Sequence, residues 1–293
     1  MMAPAPAAAV GTSPDGRLSL DEARQYLVGL INRDRASGGL RPVTLDPGPP
    51  TAAAQAHADD MAAHGYLGHW GTDGSVPESR LTAAGGSGMD LENALCFTDE
   101  VARPVDPAAR IDPRELDKAE AMFFHEVPPN DGHRKNILRP WHVHVGIGIA
   151  QPRATPGEIA GPCVAEELVD DYGTYGPLPA RARLGETVHV EGEVHGAPTF
   201  AGVGLARTDV PTPLSVHDAN ARRSYPVPTP YATYWPHGFR TPKEVAVTKG
   251  HFTIDLPLSD QGKPGLYEVS IWARFPETSD LQIVSLRTID VAR

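Results

Sequence analysis

Apolar residues in this chain follow two different rhythms, and the change falls near Tyr172. Before it they recur at helical spacing; after it they form short alternating runs separated by turns. A length of 293 residues is comfortable for two cores. The first rhythm opens with a marked helix start. Ser19 and Glu22 have capping-box spacing, and Ala23, Tyr26, Leu27, Leu30 and Ile31 follow on one stripe until Gly38-Gly39. Further helices are predicted over 51–64, behind Pro49-Pro50, over 77–83, and from Asp112-Pro113 to about His125, with Glu115 as a second capping-box glutamate. Strands are predicted over 92–97, 142–150 and 163–169. In the 142–150 run Val143, Val145, Ile147 and Ile149 share one face, and His142 and His144 lie on the opposite one, which reads as cleft lining or, preferably, as solvent-facing.

The second rhythm gives short strands over 187–194, 203–206, 244–247, 252–256, 266–274 and 282–291, the pattern of a β-sandwich. Gly265-Leu266-Tyr267-Glu268-Val269 reads either as an immunoglobulin-type tyrosine corner or as an ordinary strand that begins with a tyrosine. The expected division is a flexible segment over 1–18, an α+β unit over 19–173, a Gly- and Pro-punctuated linker over 174–184, and an immunoglobulin-like β-sandwich over 185–293. Tyr225, Tyr231, Tyr234, Trp235 and Phe239 crowd the long stretch 208–243. That stretch reads as a binding loop or, preferably, as a connection packed by its own side chains.

A net charge of −11 argues against a general nucleic-acid binder, which needs a basic face. No run approaches the roughly 18–20 apolar residues of a membrane helix. The Ala- and Pro-rich start lacks the basic and apolar regions of a signal peptide. The expectation is an exported protein whose signal peptide is missing from this sequence, or a cytoplasmic one if the N-terminus is native. Cys96 and Cys163 make either one bridge or two buried thiols.

Four segments stand out together: Gly68-His69-Trp70, Glu92-Asn93-Ala94, Phe123-Phe124-His125-Glu126 and Gly132-His133-Arg134-Lys135-Asn136. With Asn32-Arg33-Asp34-Arg35, Leu45-Asp46-Pro47 and Val145-Gly146-Ile147-Gly148, they make residues 20–173 resemble the CAP superfamily. These are the cysteine-rich secretory, antigen 5 and pathogenesis-related 1 proteins, and the bacterial SCP-like branch is the most similar. The resemblance implies an α-β-α sandwich with two histidines and two acids at the floor of a cleft. Matched motif by motif, these are His69, Glu92, His133 and Glu126. Pro49-Pro50 and the scarcity of cysteines depart from the family pattern.

Neutral imidazole and carboxylate are zinc-type ligands, so such a set suits Zn2+ or another divalent metal. The favoured expectation is a cleft for a metal or a small or lipid ligand, with the β-sandwich as an adhesion or spacer module able to meet a protein or cell-surface partner. One alternative is a metal-dependent peptide or ester hydrolase using Glu92 and Glu126; the other is a polar network with no turnover. There is no His-Glu-x-x-His helix and no Gly-x-Ser-x-Gly elbow. His57 and His64 share a helix face and read as packing residues. Arg134 and Asn136 read as residues that fix the His133 segment, and Trp70 and Tyr66 as cleft wall or core.

Overall fold

The computed structural model describes residues 16–153, 161–222 and 224–293. Most of the segment expected to be flexible, 1–18, lies outside them; Leu18, at its end, is buried and bridged to Ile111. Helix α1 (Leu20–Ser37) begins where Ser19 and Glu22 make both capping-box bonds. Helix α2 (Pro49–His64) starts two residues earlier than expected, because its prolines occupy first-turn positions that need no amide donor. Helix α3 (Pro77–Ala83) falls where the sequence puts it, and α4 (Pro113–Phe124) is capped by Asp112. Glu115 pairs with Lys118 at 2.8 Å and closes no second capping box. The short α5 (Gly132–Ile137) and β1 (Thr44–Leu45) have too few residues to show a period.

β1 joins β2 (Met89–Leu95), β3 (His144–Ala150) and β4 (Cys163–Asp170) in a sheet ordered β1-β3-β4-β2. Helices cover both faces. Val145, Ile147, Ile149, Val164 and Leu168 pack with α1 and α4, while Ala94, Ala150 and Ala165 pack with α2. On the α2 side Gly146 and Gly148 let the helix touch the strand, since a Cβ on either would sit 2.1 Å from the Pro50 or Ala54 backbone. This corrects the expected wet face. His142 is buried and paired with Asp170 at 2.7 Å, because alternation signals solvent only where nothing covers the sheet. A disulfide joins Cys96, just past β2, to Cys163 at the start of β4.

The remaining strands are β5 (Gly173–Tyr175), β6 (Arg181–Arg183), β7 (Thr187–Val194), β8 (Thr199–Thr208), β9 (Ala232–Tyr234), β10 (Ala246–Thr248), β11 (His251–Pro257), β12 (Gly265–Arg274) and β13 (Leu281–Ala292). They form two sheets, β10-β11-β7-β5 and β6-β13-β12-β8-β9, around a shared core that includes Val190, Phe252, Ile254, Tyr267, Val269 and Ile271. The residues expected as a linker supply β5 and β6. The Tyr267 hydroxyl donates to the Lys263 carbonyl at 2.8 Å and accepts from the Asp260 amide at 2.9 Å, tying down the turn before β12.

The aromatic-rich connection after β8 does not pack only on itself. With α6 (Val216–Ala221) it straps the loop between α2 and α3: the Leu214 amide donates to the Thr72 carbonyl at 2.8 Å, and the Leu67 amide to Asn220 Oδ1 at 3.0 Å. Backbone meets backbone here, since a Cβ on Gly74 would fall 2.4 Å from the Thr212 carbonyl oxygen and one on Gly68 2.9 Å from that of Ala219. Beyond the strap, the Leu286 amide of β13 donates to the Gly88 carbonyl at 3.2 Å, and Trp141 stacks on Phe275 with ring centres 4.2 Å apart.

Candidate functional site

The four residues singled out by the sequence line one cleft of about 610 Å³. They meet as two histidine–glutamate pairs. His69, in the loop between α2 and α3, sets its Nδ1 2.8 Å from Glu92 Oε1 on β2. His133, in the first turn of α5, sets its Nδ1 2.7 Å from Glu126 Oε1. A carboxylate can only accept, so each Nδ1 carries a hydrogen, and in the neutral form of either ring the lone pair is on Nε2. The two rings face each other across the cleft, their centres 6.4 Å apart.

The pairs are built differently. Glu92 lies on a strand covered by helices, with its side chain 1% exposed. Its second oxygen accepts from Arg80 of α3 at 2.5 Å, and His57 Nε2 of α2 stands 3.5 Å from the first. Arg80 also donates to the His69 carbonyl at 3.1 Å, so one guanidinium fixes both members of the pair. Burial alone would raise the Glu92 carboxyl, but the Arg80 guanidinium and the His69 hydrogen bond hold it well below the usual carboxylate range. Burial, with the Arg80 charge added, pushes His57 down to about 4. His57 is therefore neutral and donates from Nε2 to the Gly68 carbonyl at 2.8 Å, anchoring the residue next to His69.

The second pair sits at a helix end. Glu126 follows α4 and accepts the free His133 amide at 2.9 Å as well as its ring, which suits a carboxylate at a helix N-terminus. The side chains are 28% and 23% exposed, and burial still lowers the His133 pKa against the pull of Glu126. Phe123 packs on the ring with centres 4.8 Å apart. Arg134 donates to the Phe124 carbonyl at 2.7 Å and Asn136 to Asn93 Oδ1 at 3.0 Å, which fixes this segment as the sequence suggested. Arg35, fully buried, binds the Ile137 and Arg139 carbonyls at 2.7 and 2.9 Å and holds the far end of α5. Behind the sheet Asn93 donates to Glu166 at 3.1 Å; burial raises Glu166 to about 7, and burial plus Glu166 raises Glu120 to about 11, so protons are held within this acid pair.

Sequence reasoning took His57 for a packing residue only, and it missed Arg80 and the contribution of the C-terminal half. His57 and Arg80 look like ordinary helix residues, and no pattern marks them. Ser224, Tyr225, Val227 and Leu286 complete the cleft wall. The Tyr225 hydroxyl donates to Glu78, and its ring meets Trp70 edge-on at 4.9 Å, while Tyr66 is core and bonds Asp60.

Both glutamates serve the histidines, so the donors left for a metal are two imidazole nitrogens. Among the described residues no group of three or more histidine, cysteine or acidic side chains is arranged to hold an ion. With metal–nitrogen bonds near 2.0–2.1 Å, two imidazoles on one tetrahedral ion have ring centres about 5.2 Å apart. The observed 6.4 Å is wider by about 1 Å. The donor set at hand is thus two imidazole nitrogens, each on a ring whose Nδ1 is held by a glutamate.

A family model described as the cysteine-rich secretory protein family, CAP, matches residues 28–158. The uncharacterized protein YkwD of Bacillus subtilis (strain 168) is 26% identical over 149 residues, 51% of this chain and 51% of that protein. The chain thus spans about half the length of the curated relative it matches. A chitin binding domain from Burkholderia pseudomallei aligns at 13% identity over 39% of this chain and 57% of its own, with a TM-score of 0.24, too low to carry an argument. The stretch that the family model matches lies within the 20–173 that the motifs delimited, and residues 28–158 of this chain match a CAP domain of the cysteine-rich secretory protein family.

Proposed function

We propose that the cleft binds a divalent metal ion, zinc by its donor chemistry, through the Nε2 atoms of His69 and His133. The observation that carries this reading is the pairing of each Nδ1 with a carboxylate at 2.8 and 2.7 Å, which fixes the tautomer a metal ligand needs. When bound, the ion supplies Lewis acidity and an anchor for an oxygen-bearing ligand. Glu92 and Glu126 hold the rings in place, and with both engaged neither is free as a general base. Binding is therefore favoured over hydrolysis. One disulfide supports an exported setting, since such bonds persist in oxidising compartments. Among the described residues no helix is long and apolar enough to cross a membrane. The C-terminal strands, read as an immunoglobulin-like module, serve as spacer and as part of the cleft wall.

Calorimetry with zinc tests the reading. Two protein ligands predict a weak site, with uptake lost in the His69→Ala/His133→Ala double variant. Unchanged uptake in that variant, or none in the wild type, would overturn it.

A further inference from the structure

Among the described residues the cleft lining holds four acidic side chains, Glu78, Asp90, Glu92 and Glu126, and no lysine or arginine. Two of them serve the histidines, and Arg80, behind the wall, is taken by Glu92. The other two have no ion pair among the described residues. Glu78 accepts only the Tyr225 hydroxyl among side-chain donors. Asp90, on β2, is 3% exposed and, apart from its own backbone amide, has no hydrogen-bond partner on either oxygen among the described residues; burial and the neighbouring Glu78 raise it to about 8, so it holds a proton while the cleft is empty. Acceptors buried without donors are costly and are rarely kept unless something fills them.

We propose that Asp90 and Glu78, roofed by Tyr225, form a subsite for the ammonium group of a lysine side chain on a peptide that enters the cleft. Several observations select this occupant. An ammonium carries three donors and matches two carboxylates and a phenol oxygen around one small hollow. Asp90 is almost fully buried, so the group must arrive on a slender stem; a lysine side chain is such a stem. The net charge of −11 and the ionised Glu92 draw a basic ligand inward, and an arriving ammonium displaces the proton that burial and Glu78 hold on Asp90. Asn130 and Ser224 on the lining offer polar partners for peptide amides. The subsite shares the cleft with the metal reading but uses different groups. It is also composite, because Glu78 and Asp90 belong to the CAP half and Tyr225 to the strap.

The test is fluorescence anisotropy of a labelled pentalysine peptide on the full chain at fixed ionic strength, with pentaglutamate as control. Pentalysine should bind and pentaglutamate should not. Asp90→Asn should weaken binding about tenfold or more, as expected for losing a charged acceptor. Glu193→Gln, at an exposed carboxylate on β7, should change it by less than about twofold. Equal weakening by both variants, absence of peptide binding to the wild type, or displacement of the peptide by stoichiometric calcium would each overturn the proposal. Should Asp90→Asn fail to fold, Glu78→Gln is read by the same criterion. Zinc uptake measured on the same samples keeps the two readings apart: peptide binding lost while zinc uptake persists assigns Asp90 to this subsite alone, and a wild type that takes peptide but no zinc sinks only the metal site.

Discussion

The two histidine–glutamate pairs use the same bond and live in different surroundings. Glu92 is dry, gripped by Arg80 and flanked by His57, so its pair belongs to the scaffold. Glu126 and His133 stand partly in solvent at the end of a six-residue helix. The contrast teaches that one side of the cleft is a fixed anchor and the other an adjustable arm. Any closure of the 6.4 Å between the rings should come from His133.

The contrast breaks most visibly at Glu92. Glu92→Ala strands Arg80 as an unpaired buried charge, and chemical denaturation should register a loss of about 3–5 kcal/mol. Replacing both Cys96 and Cys163 by alanine frees the strand that carries Glu92. It should cost about 2–4 kcal/mol by the same measurement and leave the Glu126 bond in place. A comparable loss without touching a bond follows from acid. His57 is held neutral at about 4, below its ordinary 6.5, so its contribution is complete above pH 6.5 and is lost as pH falls to 4. That shift amounts to about 3 kcal/mol, and thermal midpoints should drop across this window in the wild type and drop less in His57→Gln. The Glu120–Glu166 pair runs the opposite way. Its raised pKa values mean stability that is full below about 4.5 and lost as pH rises through about 7, and Glu120→Gln should flatten that alkaline slope. The smallest effect belongs to the arm: Glu126→Gln should cost about 1 kcal/mol, because Gln keeps an acceptor for the His133 amide. A loss at Glu126 as large as that at Glu92 would erase the distinction between anchor and arm.

What the sequence made legible follows from how local each cause is. The Ser19–Glu22 capping box and the Pro77 helix start depend on residues within one turn, and both appear where expected. The strands of the second half were readable because alternation survives where one face is wet, as along His251–Pro257. The same logic failed at β3, where Gly146 and Gly148 mark a helix lying on the sheet rather than an exposed face. His69, Glu92, Glu126 and His133 were nameable through motif order, a resemblance and not a physical signal. Their partners were not. Nothing around Arg80 says that it is buried, and His57 read only as a packing residue, because the partners of each lie on elements far along the chain. Tyr225 was noticed only as part of an aromatic-rich stretch, and its approach to Glu78 joins residues 147 apart.

The bare backbone at Gly68 and Gly74 has an evolutionary corollary. Carbonyls of the strap occupy the space that side chains would need there, so the loop bearing His69 has been moulded to one particular companion. A chimaera that kept residues 16–172 and received a foreign β-module would present two empty notches beside the cleft rather than a finished rim. Sequence drift in either half is thus answerable to the other, and the pair should be inherited, and engineered, as one unit.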